Sequence, residues 1–375
     1  MKAGWEVKKF EKCIQKIKST KKIPKKQFLN NGIYPIISQE KDFINGHWNN
    51  EIDVLKVEKP IVIFGDHTKI VKLIKFDFVK GADGVVCLLP TYDIDSEFFA
   101  YQLQNIKLRD LGYARHYRLL KENDIVIPPL AEQKQIVAIL DQAFTAIDQA
   151  KANIEQNIKN AKELFQSKLN DIFSQKGDGW VEKTLKEVSL DFGRGKSKTR
   201  PRNDKKLFGG KYPFIQTGDI RNANKILKTY SQTYNEIGLI QSKLWMKGTI
   251  CITIAANIAE TAILDFDSCF PDSVIGLVVD PVQADSNYTY YALQHLKSKL
   301  KKLGKGSAQD NINLGTFQKV FFPFPSIAKQ KQIVKKLDNL SSKTKKIEAM
   351  YQNKIVDLEE LKKSILQKAF AGELL

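Results

Sequence analysis

Two stretches of the chain carry apolar residues that alternate at spacings of three and four positions. The first stretch, 131–173, contains neither glycine nor proline. Its seam positions are Ile136, Leu140, Ala143, Ile147, Ala150, Ile154, Ile158, Ala161, Phe165, Leu169 and Ile172. The seam of the second stretch is Ile333, Leu337, Leu340, Thr344, Ile347, Tyr351, Ile355, Leu358, Leu361, Ile365 and Ala369. This rhythm is typical of coiled coils, so it predicts two long helices that each need a partner along one narrow stripe.

The segment that opens the first helix is repeated 197 residues later. Residues 128–141 read PPLAEQKQIVAILD and residues 325–338 read PSIAKQKQIVKKLD, with nine of fourteen positions identical. Gly-Trp also occurs at 4–5 and 179–180, and Tyr-Pro at 34–35 and 212–213. The chain therefore uses one plan twice, which a search for internal repeats is meant to reveal.

Between the helices the pattern is mixed. Short β-branched runs bounded by glycine, proline or aspartate predict strands, and these are 60–64, 69–76, 85–89, 249–254 and 274–279. Helices are predicted at 93–107 and 287–303, each with Asp or Asn near its start. We predict an α+β fold with units at 1–127 and 177–324 and long helices at 128–176 and 325–375. The two helices are expected to pair as an antiparallel intramolecular coiled coil; pairing of each helix between chains is the alternative.

Charge narrows the class of ligand. There are 60 Lys and Arg residues against 42 Asp and Glu residues, a net charge of +18. Such an excess attracts a polyanion or an anionic membrane, although the dominance of lysine also fits the coding bias of an A/T-rich genome. The longest apolar run, 249–259, is about half of what spans a bilayer, and no apolar signal region opens the chain. The four cysteines form no Cys-x-x-Cys pair, so we expect a cytoplasmic protein without disulfides or zinc.

Basic, loop-like segments are the first candidates for DNA contact. Lys and Arg neutralise phosphates, and Ser and Thr hydroxyls bond to phosphate oxygens. The first segment offers Lys18, Ser19, Thr20, Lys21 and Lys22. The second offers Arg194, Lys196, Lys198, Thr199, Arg200 and Arg202. With Arg221, four of the chain's seven arginines fall within 28 residues, and arginine reads guanine bidentately. A solvated loop without function is the alternative.

Turn-like segments supply a second set of candidates. They are His67, Thr68 and Lys69; Tyr113, Arg115, His116 and Tyr117; Thr217; and Lys305, Ser307, Gln309 and Asn311. Aromatic rings interleaved with arginine suit stacking and backbone contact, and amides of the Gln and Asn type pair with adenine edges. For any one of these residues a plain turn is the alternative.

Motifs for catalysis are not found. Gly195-Lys196-Ser197 resembles the end of a phosphate loop, but the first glycine of that pattern would fall at Leu190. The four histidines lack metal-ligand spacing, and the only double proline is preceded by Ile127, unlike the Asn/Asp-Pro-Pro-aromatic sequence of adenine methyltransferases. We therefore expect no active site and no metal.

The chain resembles the specificity subunits of type I restriction-modification systems. The resemblance rests on 128–137 and 361–374, and on 65–68, 112–117, 208–210, 212–215 and 217–220. Ser326 and Lys329 depart from the usual second proline and glutamate of the helix-opening motif. The combination of these motifs across the whole chain is specific, although each alone is weak.

The resemblance implies a non-catalytic subunit with two target-recognition domains, each reading half of a bipartite, asymmetric DNA site. It implies that the helices set the gap and dock two methyltransferase subunits, which carry S-adenosylmethionine. Restriction subunits that use ATP and Mg²⁺ would join them, and this chain would be a monomer in the complex, able to self-associate when alone. The alternatives are a recognition module of another phage-defence system and a coiled-coil scaffold without a DNA role.

Overall fold

The computed structural model describes residues 2, 4–175, 177–198, 201–255, 258–304 and 314–375. The chain forms two compact units: unit 1 comprises Met1–Gln156 with Tyr351–Leu375, and unit 2 comprises Asn157–Met350. The sequence-based division at 127, 176 and 324 treated each long helix as a segment of its own, whereas each helix here contributes to both units. In the described part of the chain, no helix has the length and apolar character needed to cross a bilayer.

The elements follow the chain in order, apart from four short 3-10 turns. The first set is β1 (Glu6–Lys9), β2 (Ile14–Gln15), β3 (Lys22–Ile23), β4 (Tyr34–Ile37), β5 (Gly46–Trp48), β6 (Val54–Leu55), β7 (Ile61–Gly65), β8 (Val71–Ile74), β9 (Phe78–Gly81), β10 (Val85–Pro90), α1 (Ser96–Asn105), α2 (Tyr117–Lys121), β11 (Asp124–Ile127) and α3 (Leu130–Ser174). The second set is β12 (Val181–Lys183), β13 (Ser189–Arg194), β14 (Phe208–Phe214), α4 (Thr217–Asn222), β15 (Ile226–Leu227), β16 (Gln232–Tyr234), α5 (Glu236–Ile240), β17 (Leu244–Trp245), β18 (Ile250–Thr253), β19 (Thr261–Leu264), β20 (Ser268–Cys269), β21 (Val274–Val279), α6 (Ser286–Gly304), α7 (Leu314–Gln318), β22 (Phe322–Phe324) and α8 (Ile327–Ala371).

The two units share a common set of strand pairings, to which each adds one strand, β3 in unit 1 and β15 in unit 2. Unit 1 has one sheet in the order β2-β10-β7-β8 and a second in the order β3-β9-β4-β5, with β6 also paired to β9. Unit 2 has the orders β13-β21-β18-β19-β15 and β16-β14-β20-β17. The second sheet of each unit contains a parallel pair, β4 with β9 and β14 with β20, and in unit 1 β3 also runs parallel to β9. An antiparallel pair, β1 with β11 or β12 with β22, then leads into the long helix. The sequence repeat is therefore a repeat of topology, and the predicted α+β class is confirmed.

The long helices form part of each core. In unit 1, Ile136 and Leu140 of α3 are buried in one cluster with Phe98 of α1 and Leu366 of α8. In unit 2, Leu169 and Phe173 of α3 are buried with Leu337 of α8 and Tyr288 of α6. Each helix thus buries its stripe against a partner helix and a domain, which is why so narrow an apolar face suffices.

Ion pairs show that α3 and α8 run antiparallel, as predicted. In unit 1, Lys362 lies 3.1 Å from Asp148, and Lys151 pairs with Glu359. Residue numbers therefore increase in opposite directions along the two helices. In unit 2, Lys162 lies 3.7 Å from Glu348. Every predicted seam position of α3 is buried or half-buried.

The predicted seam of α8 is wrong at two positions. Ile347 and Leu361 are exposed, and the next residues, Glu348 and Lys362, lie toward α3 instead and pair with its Lys162 and Asp148. The prediction is wrong there because charged side chains take part in the packing of this helix pair. A search for periodic apolar residues does not detect charged positions.

A buried glutamine joins each long helix to its domain. Gln133 and Gln330 are fully buried. Gln133 Nε2 donates to the carbonyl of Pro128 at 2.8 Å, and its Oε1 accepts from the N–H of Asp95 at 2.8 Å. Gln330 makes the equivalent bonds, to Pro325 and from Asp285, both at 2.8 Å. Asp95 and Asp285 in turn cap α1 and α6. This duplicated contact explains why the repeated motif keeps its glutamine in both copies.

Replacing either buried glutamine by alanine is expected to destabilise the chain. Gln133→Ala and Gln330→Ala each remove the partner of a buried carbonyl and of a half-buried N–H, which costs about 1–3 kcal/mol. Urea unfolding followed by circular dichroism would measure the loss. The matched controls are Gln135→Ala and Gln332→Ala, because these glutamines of the same motif are exposed and should change stability by less than about 0.5 kcal/mol. Equal losses in all four variants would contradict the anchor role.

Candidate DNA interface

In unit 1, two predicted segments meet at one surface. The loop between β7 and β8 carries His67, Thr68 and Lys69, and the segment before α2 carries Tyr113 and Arg115. The rings of His67 and Tyr113 stack with centroids 4.7 Å apart and planes 9° from parallel. Tyr113 is 88% exposed. We call these five residues the unit 1 patch; it combines cations, a hydroxyl and an open aromatic face, which suit phosphate and base contacts.

A buried aspartate and a buried histidine hold the unit 1 patch in place. Asp66 Oδ1 accepts from the N–H of Tyr117 at 2.7 Å, and the carbonyl of Asp66 accepts from the N–H of His116 at 2.8 Å. His116 Nδ1 lies 3.1 Å from the same carbonyl, while Nε2 accepts from the N–H of Leu111 at 3.2 Å. Acceptance at Nε2 assigns the ring proton to Nδ1. The two segments are therefore held together by hydrogen bonds from two backbone N–H groups to Asp66.

One predicted DNA contact in this region is wrong, and a second is partly buried. His116 is 0% exposed, so it positions the loop and has no surface with which to reach DNA. The half-buried ring of Tyr117 packs 6.1 Å from Phe10 and 6.4 Å from Phe64 between centroids, and burial raises the pKa of its hydroxyl. Tyr117 therefore packs partly against the core and its contact with DNA stays a prediction, whereas the burial of His116 could not be read from sequence composition.

Gln39 supports the unit 1 patch and was missed by sequence reasoning. Its Oε1 accepts from the N–H of His67 at 3.0 Å, and its carbonyl accepts from the Thr68 hydroxyl at 2.7 Å. A Cβ on Gly84, which has φ +72°, would lie 2.5 Å from Gln39 Oε1, so only glycine leaves room for this side chain. No local motif marks Gln39, because only the folded sheet brings it to the loop.

The first basic segment lies mostly in solvent. Lys18, Ser19 and Lys21 are exposed, and Thr20 is half-buried. Lys22 belongs to β3, and its Nζ donates to the carbonyl of Val85 at 3.2 Å. Val85 is the strand partner of Gly65, the residue that precedes Asp66. Lys22 thus reaches the strand beside the unit 1 patch, while the other four residues remain candidates for phosphate contact.

Unit 2 carries a cleft in place of a patch. The cleft has a volume of about 630 Å³. Its lining combines apolar and polar groups: Ser197, Arg202, Asn203, Lys205, Phe208, Gly209, Phe214, Gln216, Thr217, Gln232, Pro271 and Ser273. The predicted residues Arg202 and Thr217 therefore come together, and Gln216, Gln232, Asn203 and Lys205 are polar groups that the sequence did not single out. Below, "the unit 2 cleft" means this set of residues.

Asp272 orients two of the clustered arginines. Arg202 Nη2 lies 2.7 Å from Asp272 Oδ2, and Arg194 Nε donates to the carbonyl of Asp272 at 2.8 Å. The backbone is also held at two positions after Arg194: the N–H of Lys198 donates to Gln241 Oε1 at 2.7 Å, and the carbonyl of Lys196 accepts from the Ser242 hydroxyl at 2.8 Å. The side chains of Lys196 and Lys198 remain exposed, as does Arg221 at the end of α4. A held arginine with free N–H groups is suited to recognition of guanine or phosphate.

Six predicted contacts lie outside the described residues: Thr199, Arg200, Lys305, Ser307, Gln309 and Asn311.

A family model for the type I restriction modification DNA specificity domain matches residues 2–160 and 177–356. The chain belongs to this family. Each matched segment covers one recognition domain together with most of the long helix that follows it. The family thus matches the chain twice, in agreement with the duplicated topology.

Individual members of the specificity-domain family are distant in sequence but similar in fold. The specificity subunit of the StySPI type I restriction enzyme from Salmonella potsdam is 26% identical over 275 residues, covering 67% of this chain and 58% of that protein. The chain spans about three fifths of the length of the curated relatives it matches. A chain from a solved structure of the type I restriction-modification system superposes with a TM-score of 0.78 at 20% identity, covering 100% of this chain and 99% of that one. The HsdS subunit from Thermoanaerobacter tengcongensis gives a TM-score of 0.58 at 20% identity, covering 100% and 98%.

The cysteines of this specificity-domain protein lie mainly in its interior. Cys13, Cys251 and Cys269 are buried and Cys87 is half-buried. Burial raises the pKa of Cys13 and that of Cys87 to about 11, so both thiols stay protonated near neutral pH. Among the described residues, no three His, Cys, Asp or Glu side chains converge as a metal site would require.

Proposed function

We propose that this chain is the DNA-recognition subunit of a type I restriction-modification complex and that each unit reads one half of a bipartite, asymmetric site. One observation carries the proposal: two units that share most of their strand pairings present surfaces of unlike composition. Unit 1 presents a His–Tyr stack with Lys69 and Arg115, and unit 2 presents a cleft with Arg202, Gln216 and Gln232. Unlike surfaces on like scaffolds are suited to reading unlike sequences.

Charge supports DNA as the ligand. The net charge of +18 favours phosphate neutralisation, which supplies most of the non-specific affinity of DNA-binding proteins and makes it salt-dependent. Cations in contact with phosphates position the protein, and oriented arginine and amide groups specify bases. The exposed lysines 18, 21, 196 and 198 are assigned the first role, and the residues of the unit 2 cleft the second.

The long helices are proposed to set the unread gap and to dock two methyltransferase subunits. Leu164 and Leu361 occupy equivalent positions of the two repeats, 197 residues apart, and both remain exposed, at 54% and 47%. Because one lies in each unit, the two repeats offer an equivalent exposed apolar position to each of two copies of one partner. The chain itself is assigned no catalytic step and acts as one copy in the complex. The methyltransferase partners would carry S-adenosylmethionine, and the restriction subunits would use ATP and Mg²⁺.

The direct test is modified-base sequencing of a methylation-free host that expresses this chain with its methyltransferase partner. We expect methyladenine at a single bipartite motif: two short unlike halves, a fixed gap, and marks on opposite strands. A host with the methyltransferase alone is the control and should carry no mark. Absence of the mark although the complex forms would contradict the proposed function.

A further inference from the structure

Two glutamines meet at the unit 2 cleft. Gln216 precedes α4, and Gln232 is the first residue of β16. Gln216 Nε2 donates to Gln232 Oε1 at 2.7 Å. Both side chains are exposed and line the cleft together with Arg202 and Thr217. A DNA base edge that approached the cleft would therefore meet an amide whose orientation is already set.

One carboxylate ties together the two segments that carry these glutamines. Asp219 Oδ2 accepts from the N–H of Gln216 at 2.8 Å and from the hydroxyl of Ser231 at 3.1 Å. Ser231 directly precedes Gln232, which is also the strand partner of Phe214 in β14. The backbone on both sides of the amide pair is thus fixed independently of the amides. Groups held in this way lose less freedom when a ligand binds.

The hydrogen-bonding capacity left on Gln232 has a definite pattern. After it accepts from Gln216, its amide retains both N–H donors and one lone pair on Oε1. Adenine shows an acceptor, N7, beside a donor, the N6 amino group, in the major groove, whereas guanine shows two acceptors, O6 and N7. One donor beside one acceptor on a glutamine amide therefore matches adenine in two bonds and guanine in only one.

We propose that Gln232, oriented by Gln216, reads an adenine in the half-site that unit 2 recognises. The inference rests on the proposed function, because it requires unit 2 to contact the major groove. Gln232 is assigned the base contact, and Gln216 is a positioning residue that acts through it. Arg202, which pairs with Asp272 and lines the same cleft, is assigned to a neighbouring base of the half-site.

The experiment uses the whole chain assembled with its methyltransferase partner. The complex is offered duplexes in which the half-site of unit 2 is randomised, and the methylated products are sequenced. Besides the adenine that is methylated, the wild type should select adenine at one further position, and Gln232→Ala should lower that second preference about 10- to 100-fold while other positions and the other half-site keep theirs. Gln216→Ala should lower the same preference by a smaller factor. Gln283→Ala is the control, because Gln283 lies in the same unit, accepts from Lys183 at 2.7 Å and is not part of the cleft lining.

A second variant keeps the test decisive if Gln232→Ala yields no methylation. Gln232→Glu preserves the size of the side chain but offers only acceptors, so selection should move from adenine toward cytosine, whose N4 amino group is a donor. An unchanged half-site in either active variant would overturn the inference while leaving the proposed function intact. A loss confined to a G·C position would also overturn it. A wild-type complex that leaves no mark would contradict the proposed function, and the inference with it.

Discussion

Removal of one heptad from each long helix is expected to shorten the gap between the two half-sites and to leave both half-sites unchanged. The ion pairs 148–362 and 151–359 in unit 1 and 162–348 in unit 2 flank residues 152–158 on α3 and residues 352–358 on α8, so deleting these two segments leaves all three pairs in place. Deleting both segments together removes seven residues from each helix, which is about 10 Å of helix at 1.5 Å per residue. With base pairs about 3.4 Å apart, the gap should shorten by roughly three base pairs.

The motif methylated by this variant would be read by modified-base sequencing. Asn157→Ala is the length control, because this exposed helix position lies within the deleted segment and the substitution changes no spacing. It should methylate the wild-type motif. An unchanged gap in the deletion variant would disprove the idea that helix length measures the gap.

Exchange of residues 184–323 for the second domain of another family member is expected to change one half of the motif only. The exchanged segment contains the unit 2 cleft and all the described arginines that Asp272 holds, but it leaves the unit 1 patch, α3 and α8 in place. The exchange begins between β12 and β13 and ends within β22. Because residue 325 lies beyond it, the buried Gln330 keeps its hydrogen bond to the carbonyl of Pro325. Its second partner is residue 285 of the donor domain, so the donor should carry an N-capping residue there.

The exchanged protein would be assayed in the same methylation-free host. The half-site that stays constant should be the one read by unit 1, which would assign each half to its unit. Changes in both halves would contradict independent reading by the two units. A chain in which residues 184–323 are replaced by the same native residues through the same procedure is the control for expression and assembly.

Much of the architecture could be predicted because it follows from periodic patterns. The two long helices, their antiparallel pairing and the duplicated plan all follow from the seam and from the 197-residue offset. The predicted helix at 93–107 is observed at Ser96–Asn105, and that at 287–303 is observed at Ser286–Gly304. The predicted strand at 69–76 is shorter, Val71–Ile74, because Lys69 adopts φ +60° in the turn after β7. Patterns of this kind reflect burial, which is summed over many residues.

The candidate site could be predicted only in part, because single contacts decide it. Basic and aromatic composition identified the loop at 67–69 and the segment at 113–115, which do meet. The same reasoning could not tell that His116 faces inward, since a surface loop and a buried loop clamp have the same composition. Gln39, Gln216 and Gln232 carry no local signal; their importance arises from Asp219, Gly84 and strand pairings distant in sequence.

The duplicated glutamine anchor has a genetic consequence. Gln133 and Gln330 share two hydrogen bonds to equivalent partners, so each domain is attached to its long helix in the same way. A crossover within the repeated segment would deliver a foreign domain with its reading frame and its attachment point intact. Under the proposed function, new DNA specificities would then arise by reassortment of whole domains, without stepwise replacement of each contacting side chain.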